Sequence, residues 1–302
     1  MDFRFTQDQQ DLIDAAKAVF DGENTVERMR AMVADEEVAD LWPQFEELGL
    51  LGLMAPESAG GLGQPLVVMA AVAEAAGYAG LSEPYVEMAG ISVPHAKDDE
   101  LLEPKRRAVR SHLRQYIDAS LLETGEAVTS IDPLRNLLKA ADGNDENIKS
   151  INYYGAILSA AQLIGLSKRM LDMSIDYAKD RHQFGKAIGS FQAVKHQLAN
   201  VHTQIEFTRP IIELAAIKGG PATHNAKISA IDTAMLAAET AIQVHGGMGY
   251  TYEVDLHLFM KRTWALCGEW GDRNYHMKKL EDYLLGGEAD LGPGTTFAEG
   301  VT

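Results

Sequence analysis

Cysteine is almost absent from this sequence: Cys267 is the single one among 302 residues. No disulfide can therefore form within the chain. A single thiol fits the reducing environment of the cytoplasm, where we expect the protein to be located. Because Cys267 lies in an apolar stretch, we expect it to be a small core residue rather than a nucleophile.

The sequence also has few basic residues and no long apolar run. Its 27 Lys and Arg residues stand against 44 Asp and Glu residues, for a formal net charge of -17. A phosphate backbone would be repelled, which argues against a general nucleic-acid binder, although a local basic patch could still hold an anionic ligand. No stretch approaches the roughly 18 apolar residues of a membrane span. The N-terminus has no basic region followed by an apolar run, so no signal peptide is expected.

What the sequence has in abundance is helical periodicity. Apolar residues recur at intervals of three and four, which predicts a mainly α fold whose helices pack against one another, either inside a bundle or across a subunit interface. Thr6 is the expected N-cap of the first helix, and Pro210 is expected to kink or divide a later one. The predicted helices cover residues 3–20, 66–79, 151–180, 191–217, 225–245, 254–266 and 273–285.

The middle of the chain is poor in strand-forming residues. Between residues 96 and 126 only Val109, Tyr116, Ile117 and Thr124 strongly favour strands. The run KRRAVRSHLRQYIDASLL instead has helical spacing, so a helix is predicted there, followed by a short strand at 126–130 and a turn or linker at 142–145. The expected units are an N-terminal helical domain (1–80), a reduced middle segment (81–150), a helical bundle (151–285) and a loose tail (286–302).

Two segments carry chemistry. The first is the run Asp180-Arg181-His182-Gln183-Phe184-Gly185-Lys186, followed by Phe191-Gln192. An arginine beside a glycine turn between two helices can meet a phosphate with forked donors, and the next helix N-terminus adds partial positive charge. Taken alone, the spacing of this segment favours an ordinary helix–helix turn that carries a surface arginine.

The second segment is Gln243-Val244-His245-Gly246-Gly247-Met248-Gly249-Tyr250-Thr251. Its glycines end a long helix and allow another group to approach the backbone closely, while Gln243 offers donors and an acceptor. The alternative is a glycine-rich helix end and loop. A helix precedes the glycines, so the run is not a strand–glycine–helix nucleotide fingerprint.

The order and separation of the two segments resemble the acyl-CoA dehydrogenase family over about residues 1–80 and 127–285. The N-terminal residues that support the resemblance are Trp42, Glu47-Leu48-Gly49-Leu50, Pro56-Glu57, Gly60-Gly61-Leu62-Gly63, Glu74 and Gly77. Ser130-Ile131-Asp132-Pro133 with Arg135 looks like the closing strand of the family's β-domain, which is otherwise largely missing here.

The resemblance implies an N-terminal helical domain and a C-terminal four-helix bundle. It also implies FAD as the cofactor, bound across a subunit interface. It assigns Arg181, Phe184 and Gln192 to the adenine-dinucleotide part of one flavin. A neighbouring subunit would approach the same flavin with Gln243, Val244, His245, Gly246 and Gly247. Flavin binding would then be inseparable from oligomerisation.

The catalytic glutamate of the family has no counterpart here. Members place this base, which removes the α-proton of an acyl-CoA, at one of two positions, and these match Trp270 and Gly155. Glu269 lies one residue before Trp270, the first of these two positions. In a helix that shift turns a side chain by about 100°, so Glu269 is only a weak candidate.

Three hypotheses remain open. The chain is a non-catalytic subunit that pairs with a full-length acyl-CoA dehydrogenase, as a heterotetramer. Alternatively, it is a self-sufficient homo-oligomeric flavin oxidoreductase that uses Glu269. The third hypothesis is a flavin-free structural or regulatory protein. We favour the first, because it explains why the flavin segments persist while the base is gone.

Overall fold

The computed structural model describes residues 4–95, 116–118, 125–139, 147–287 and 289. This part of the chain is mostly helical, as predicted. Its helices are α1 (Gln7–Glu23), α2 (Val26–Val33), α3 (Trp42–Glu47), α4 (Leu66–Ala79), α5 (Tyr85–Glu87), α6 (Ile148–Asp180), α7 (Gln192–Lys218), α8 (Pro221–His245), α9 (Leu256–Gly268) and α10 (Arg273–Leu285). Its strands are β1 (Tyr116–Asp118), β2 (Ala127–Val128), β3 (Leu137–Lys139), β4 (His182–Gln183) and β5 (Lys186–Ala187).

Helices α1–α5 form the N-terminal unit. Thr6 caps α1 through a capping box, in which its hydroxyl accepts from the Gln9 backbone and the Gln9 side chain accepts from Thr6, so the predicted N-cap is confirmed. Behind α1, the rings of Phe20, Phe45 and Tyr85 pack at centroid distances of 5.1 to 5.7 Å. The alanine-rich α4 is buried between α1 and α6.

Two glycines allow α4 and α6 to touch backbone to backbone. A Cβ atom added at Gly77 would lie 2.2 Å from the carbonyl oxygen of Gln162. One added at Gly165 would lie 1.9 Å from the carbonyl oxygen of Glu74. The N-terminal unit and the bundle therefore share one continuous core at this crossing.

Helices α6, α7 and α8 pack against one another as the centre of the bundle, with α9 and α10 beside them. Two hydrogen bonds show the directions of these helices. Lys227, in the first half of α8, donates to Ser159, in the first half of α6. Tyr153, near the start of α6, donates to the carbonyl of Ala215, near the end of α7. Thus α6 and α8 run in the same direction and α7 runs in the opposite one. Short connections between successive helices favour this arrangement.

The expected division of α7 at Pro210 is wrong, because one helix runs from Gln192 to Lys218. Proline removes one backbone donor from a helix. Pro210 is exposed, so water can satisfy the carbonyl that loses this donor.

The middle segment contributes one small antiparallel sheet in the order β1-β3-β2. The strand predicted at 126–130 is confirmed by β2. The helix predicted for the run that includes Tyr116 and Ile117 is wrong at those two residues, which pair with Lys139 and Leu138. Pairing with a strand distant in sequence outweighs local helical spacing here. The rest of that predicted helix, the turn at 142–145 and nearly all of the tail lie outside the described residues.

The stretch 130–135, which resembles a closing strand, is instead a turn before β3. The Asp132 carboxylate accepts from the backbone of Leu134, 3.0 Å away, which is an Asx-turn contact. Asp132 also forms a buried ion pair with Arg262 of α9. This pair fixes the turn to the bundle. Among the described helices, none is long and apolar enough to cross a membrane.

Candidate functional site

The two chemically suggestive segments lie at the same end of the bundle. The ring of Tyr177, in the last turn of α6, stacks on the ring of His245, the last residue of α8, with centroids 4.3 Å apart and planes 26° apart. One turn beyond Tyr177 the chain reaches Arg181, whose backbone amide donates to the Tyr177 carbonyl at 2.8 Å. The structure thus brings together segments that are far apart in sequence.

The connection from α6 to α7 contains a β-hairpin with a two-residue turn, and this turn exposes an aromatic side chain. His182 pairs with Ala187, and the two turn residues, Phe184 and Gly185, have φ angles of 55° and 81°. Positive φ at both positions is typical of a type I′ turn. Phe184 is 91% exposed, and its ring contacts that of Phe191 edge-to-face at 6.3 Å.

The polar residues of this connection face solvent. Arg181 is exposed, and no other described residue forms an ion pair or hydrogen bond with its guanidinium. Gln192 is exposed as the first residue of α7. The guanidinium of Arg181 and the side-chain amide of Gln192 are therefore available to a ligand beside the exposed ring of Phe184.

The glycine-rich segment divides into outward and inward residues. Gln243, Gly246 and Gly247 are exposed, and a Cβ atom added at either glycine would have no neighbour within 4 Å. Val244 and His245 are buried. The Nδ1–H of His245 donates to the Ala241 carbonyl at 2.8 Å, and burial lowers the pKa of this histidine. Val244 and His245 can thus face a ligand only through their backbone.

These residues fit the dinucleotide part of FAD better than its ring. The exposed Arg181 fork and the open backbone at Gly246 and Gly247 offer donors suited to phosphate groups, and Phe184 offers an apolar face. In the described middle segment, three strands of two or three residues are too small a surface to cover an isoalloxazine ring.

The two positions that match the family's base lie in direct contact. Trp270 is 2% exposed, and its indole lies on α6 at Gly155, where an added Cβ atom would be 2.1 Å from the Cδ2 atom of the ring. Two alternative positions for one base must reach the same proton, so they are expected to converge in space. Their contact here supports the match that the sequence suggested, and the space between them is filled by indole.

Glu269, the weak candidate base, belongs to a buried ion-pair cluster. It follows α9 in an extended conformation, and its Oε1 atom lies 3.5 Å from Nη1 of Arg135. Arg135 also contacts Glu87 at 3.0 Å and Asp118 at 3.4 Å. Burial acts to lower the pKa of Arg135, but the carboxylates around it outweigh burial and raise this pKa, so the guanidinium stays charged. Glu269 is therefore directed at a cation of its own chain.

Sequence reasoning missed two buried titratable residues near Trp270. Lys227 is fully buried and donates to Ser159 Oγ at 2.7 Å and to the Leu266 carbonyl at 3.0 Å. Burial lowers the pKa of Lys227 to about 8. His276 is also buried, and burial lowers its pKa to about 4. The available signal was a lysine placed within the apolar stripe of α8.

Comparison with protein families identifies both helical units. Residues 6–93 match the acyl-CoA dehydrogenase N-terminal domain, and residues 147–279 match the acyl-CoA dehydrogenase C-terminal domain. The acyl-CoA dehydrogenase IpdE2 of Mycobacterium tuberculosis is 30% identical over 269 residues, which cover 78% of this chain and 84% of that protein. IpdE2 of Mycolicibacterium smegmatis is 27% identical over 91% of this chain and 98% of its own length. The chain belongs to the acyl-CoA dehydrogenase family.

Solved structures share the fold. The ChsE4–ChsE5 complex from Mycobacterium tuberculosis matches with a TM-score of 0.81 at 20% identity, over 94% of this chain and 99% of that chain. A Tcur3481–Tcur3483 steroid ACAD variant matches with a TM-score of 0.78 at 21% identity, over 93% and 99%. The family consists of FAD-dependent oxidoreductases, and the FAD complex of PigA is a further neighbour, with a TM-score of 0.73 at 16% identity over 94% of this chain and 99% of that chain.

Proposed function

We propose that this chain is a non-catalytic subunit of a heteromeric acyl-CoA dehydrogenase, which desaturates an acyl-CoA thioester between its α and β carbons. The observation that carries the proposal is the contact of Trp270 with Gly155: the two positions that match the family's base meet in space, and neither residue has a carboxylate. A second chain must then supply the base. That partner is a full-length family member, and the assembly is a heterotetramer in the cytoplasm.

Each flavin-binding residue has a distinct role in the proposed assembly. FAD, when bound, supplies the acceptor for the hydride that leaves the β carbon. The guanidinium of Arg181 would hold a phosphate group of FAD, and Phe184 and Gln192 would contact its adenine-dinucleotide part. From the other side of the interface, Gln243 and the open backbone of Gly246 and Gly247 approach the same cofactor.

The geometry of the bundle end supports a site shared between two chains. Both half-sites lie at one end of one bundle, joined by the stack of Tyr177 on His245. A neighbouring subunit related by an approximate two-fold axis brings its own pair of half-sites to face them. Two solved neighbours, the ChsE4–ChsE5 complex and the Tcur3481–Tcur3483 steroid ACAD, are each named for two different proteins, which accords with a heteromeric assembly.

The test is co-expression with a full-length dehydrogenase encoded beside this chain, followed by sizing and a visible spectrum. We expect a stable complex with flavin absorbance and a colourless chain when it is expressed alone. Arg181→Ala should weaken FAD retention in the complex by about 10- to 100-fold, the effect of losing charge-assisted hydrogen bonds. The matched control is Arg273→Ala, because Arg273 is also half exposed but pairs with Asp232 at 2.7 Å.

Two outcomes would favour the other hypotheses. A chain that is yellow alone and is reduced by an acyl-CoA would support a self-sufficient enzyme, and Glu269→Gln would then abolish the reduction. A chain that stays colourless with every full-length partner would support a flavin-free structural role. Equal FAD retention in the Arg181→Ala and Arg273→Ala complexes would contradict the assignment of Arg181 to a phosphate group of FAD.

A further inference from the structure

The indole of Trp270 occupies an enclosed space that is matched to it. Three atoms of the ring, Cδ2, Cε3 and Cε2, lie 2.1 to 2.6 Å from the Cβ position of Gly155. No residue larger than glycine fits on α6 beneath this ring. Trp270 is 2% exposed, so the space holds the indole and excludes solvent.

The backbone of Trp270 adopts a conformation that tryptophan rarely has. Its φ angle is 60°, in the left-handed region, and Gly271 follows with a φ angle of 92°. A non-glycine residue held there costs on the order of 1–3 kcal/mol and persists only where its surroundings enforce it. The contacts of Trp270 must therefore enforce this conformation, and they include its indole on Gly155 and its backbone carbonyl on His276.

Two histidines hold the Trp270 backbone in place. The Trp270 carbonyl oxygen lies 3.0 Å from Nε2 of His276, and since a carbonyl only accepts, Nε2 carries the hydrogen. Nδ1 of the neutral His276 is then an acceptor, and Nδ1–H of His224 donates to it at 2.8 Å. A Cβ atom at Gly271 would lie 2.8 Å from the same His276 ring, which fits a tight enclosure.

We propose that Trp270 is a plug that fills this chain's own acyl pocket, with His276 and His224 as its latch. The inference rests on the proposed function, because it takes the Gly155–Trp270 contact as the place where a base would meet the acyl chain. The plug excludes acyl thioesters from this chain. A heteromer therefore binds one acyl-CoA for each catalytic partner and none for each copy of this chain.

The first test measures acyl-CoA binding to the full chain alone, with octanoyl-CoA as the probe. We expect no binding by the wild type and the gain of up to one equivalent per chain in Trp270→Ala. The control is Trp264→Ala, which removes a half-buried indole from α9 and should gain nothing. Binding of one equivalent by the wild type, or no gain in a folded Trp270→Ala chain, would overturn the proposal. No partner is used, so this result is independent of whether a heteromer forms.

The second test does not depend on any ligand. Gly155→Ala should lower the unfolding midpoint of the wild type markedly, because its methyl group overlaps the indole. In the Trp270→Ala background the same substitution should be neutral or stabilising. Equal losses in both backgrounds would contradict the plug. His276→Ala should keep the fold but increase the quenching of tryptophan fluorescence by acrylamide. Unchanged quenching would contradict the role of His276 as a latch for Trp270.

Discussion

The interior around Trp270 and the bundle end around Arg181 use polar residues in opposite ways. In the interior, Arg135 and Lys227 are buried and direct their donors to carboxylates, a hydroxyl and a carbonyl of the same chain. At the bundle end, Arg181 and Phe184 are exposed, and Phe184 has a left-handed backbone. The buried polar groups of the interior are thus satisfied within the chain, whereas the polar groups of the bundle end remain accessible from solvent.

The largest expected effect comes from the centre of the ion-pair cluster. Arg135→Leu removes the cation that contacts Glu87, Asp118 and Glu269, and breaking a buried ion pair costs about 3–5 kcal/mol. Chemical denaturation should show this loss in the free energy of unfolding. Arg273→Ala, at a solvent-exposed ion pair, should lower the free energy of unfolding far less, because water and salt screen such a pair. Equal losses of unfolding free energy in Arg135→Leu and Arg273→Ala would show that the buried and the exposed ion pairs contribute equally to stability.

The crossing of α4 and α6 should give the next largest effect. Gly77→Ala places a methyl group against the Gln162 backbone, and overpacking of this kind costs about 3 kcal/mol. Gly22→Ala is the matched control, because Gly22 also lies in a helix but has no neighbour within 4 Å of its Cβ position. That control should be stabilising by about 0.5–1 kcal/mol. Thermal unfolding of both variants would sharpen the comparison.

Lys227 should give the interior a distinct dependence on pH. Burial lowers its pKa to about 8 in the folded chain, below the ordinary lysine value of 10.5, so the unfolded chain binds more protons between these two pH values. Wild-type stability should therefore rise with pH across this window relative to Lys227→Met, by about 3 kcal/mol. The penalty is fully present below pH 8. Parallel unfolding profiles of the two proteins from pH 7 to 10.5 would show that the buried amine does not titrate in this window.

The smallest effect on stability is expected at the bundle end, with the opposite sign. Phe184→Asn should stabilise the chain by about 0.5–1 kcal/mol, because Asn-Gly suits a type I′ turn better than Phe-Gly. The same variant should lose FAD or the partner in the co-expressed complex. A destabilised Phe184→Asn chain that keeps its flavin would reverse the contrast between the two regions.

The sequence was a good guide where local patterns decide the structure. Apolar residues at intervals of three and four predicted the long helices to within a few residues. Thr6 could be recognised as an N-cap because a hydroxyl side chain before a helical run is a capping signal. Arg181, Phe184 and Gln243 could be selected because the spacing of two motifs survives in the sequence. Their exposure at one end of the bundle came only from the structure.

The sequence could not predict features that depend on distant pairing. Tyr116 and Ile117 have helical spacing, but their strand forms by pairing with β3. The partners of Arg135 come from three remote segments, so no spacing rule links them. Trp270 and Gly155 could be noted as the two base positions, yet the contact that fills the space between them required the packed helices.

The cluster around Arg135 also sets an order of events during synthesis. Glu87 and Asp118 leave the ribosome before the guanidinium, and Glu269 follows only after nearly the whole bundle has been made. Domains generally fold as units from the N-terminus, and apolar surface that waits for its partner is prone to aggregate. The face of the apolar α4 that packs on α6 stays uncovered until α6 is complete. The nascent chain therefore exposes this apolar surface while about a third of its residues are made, between the end of α4 and the end of α6, and chaperone binding is expected to concentrate on that interval.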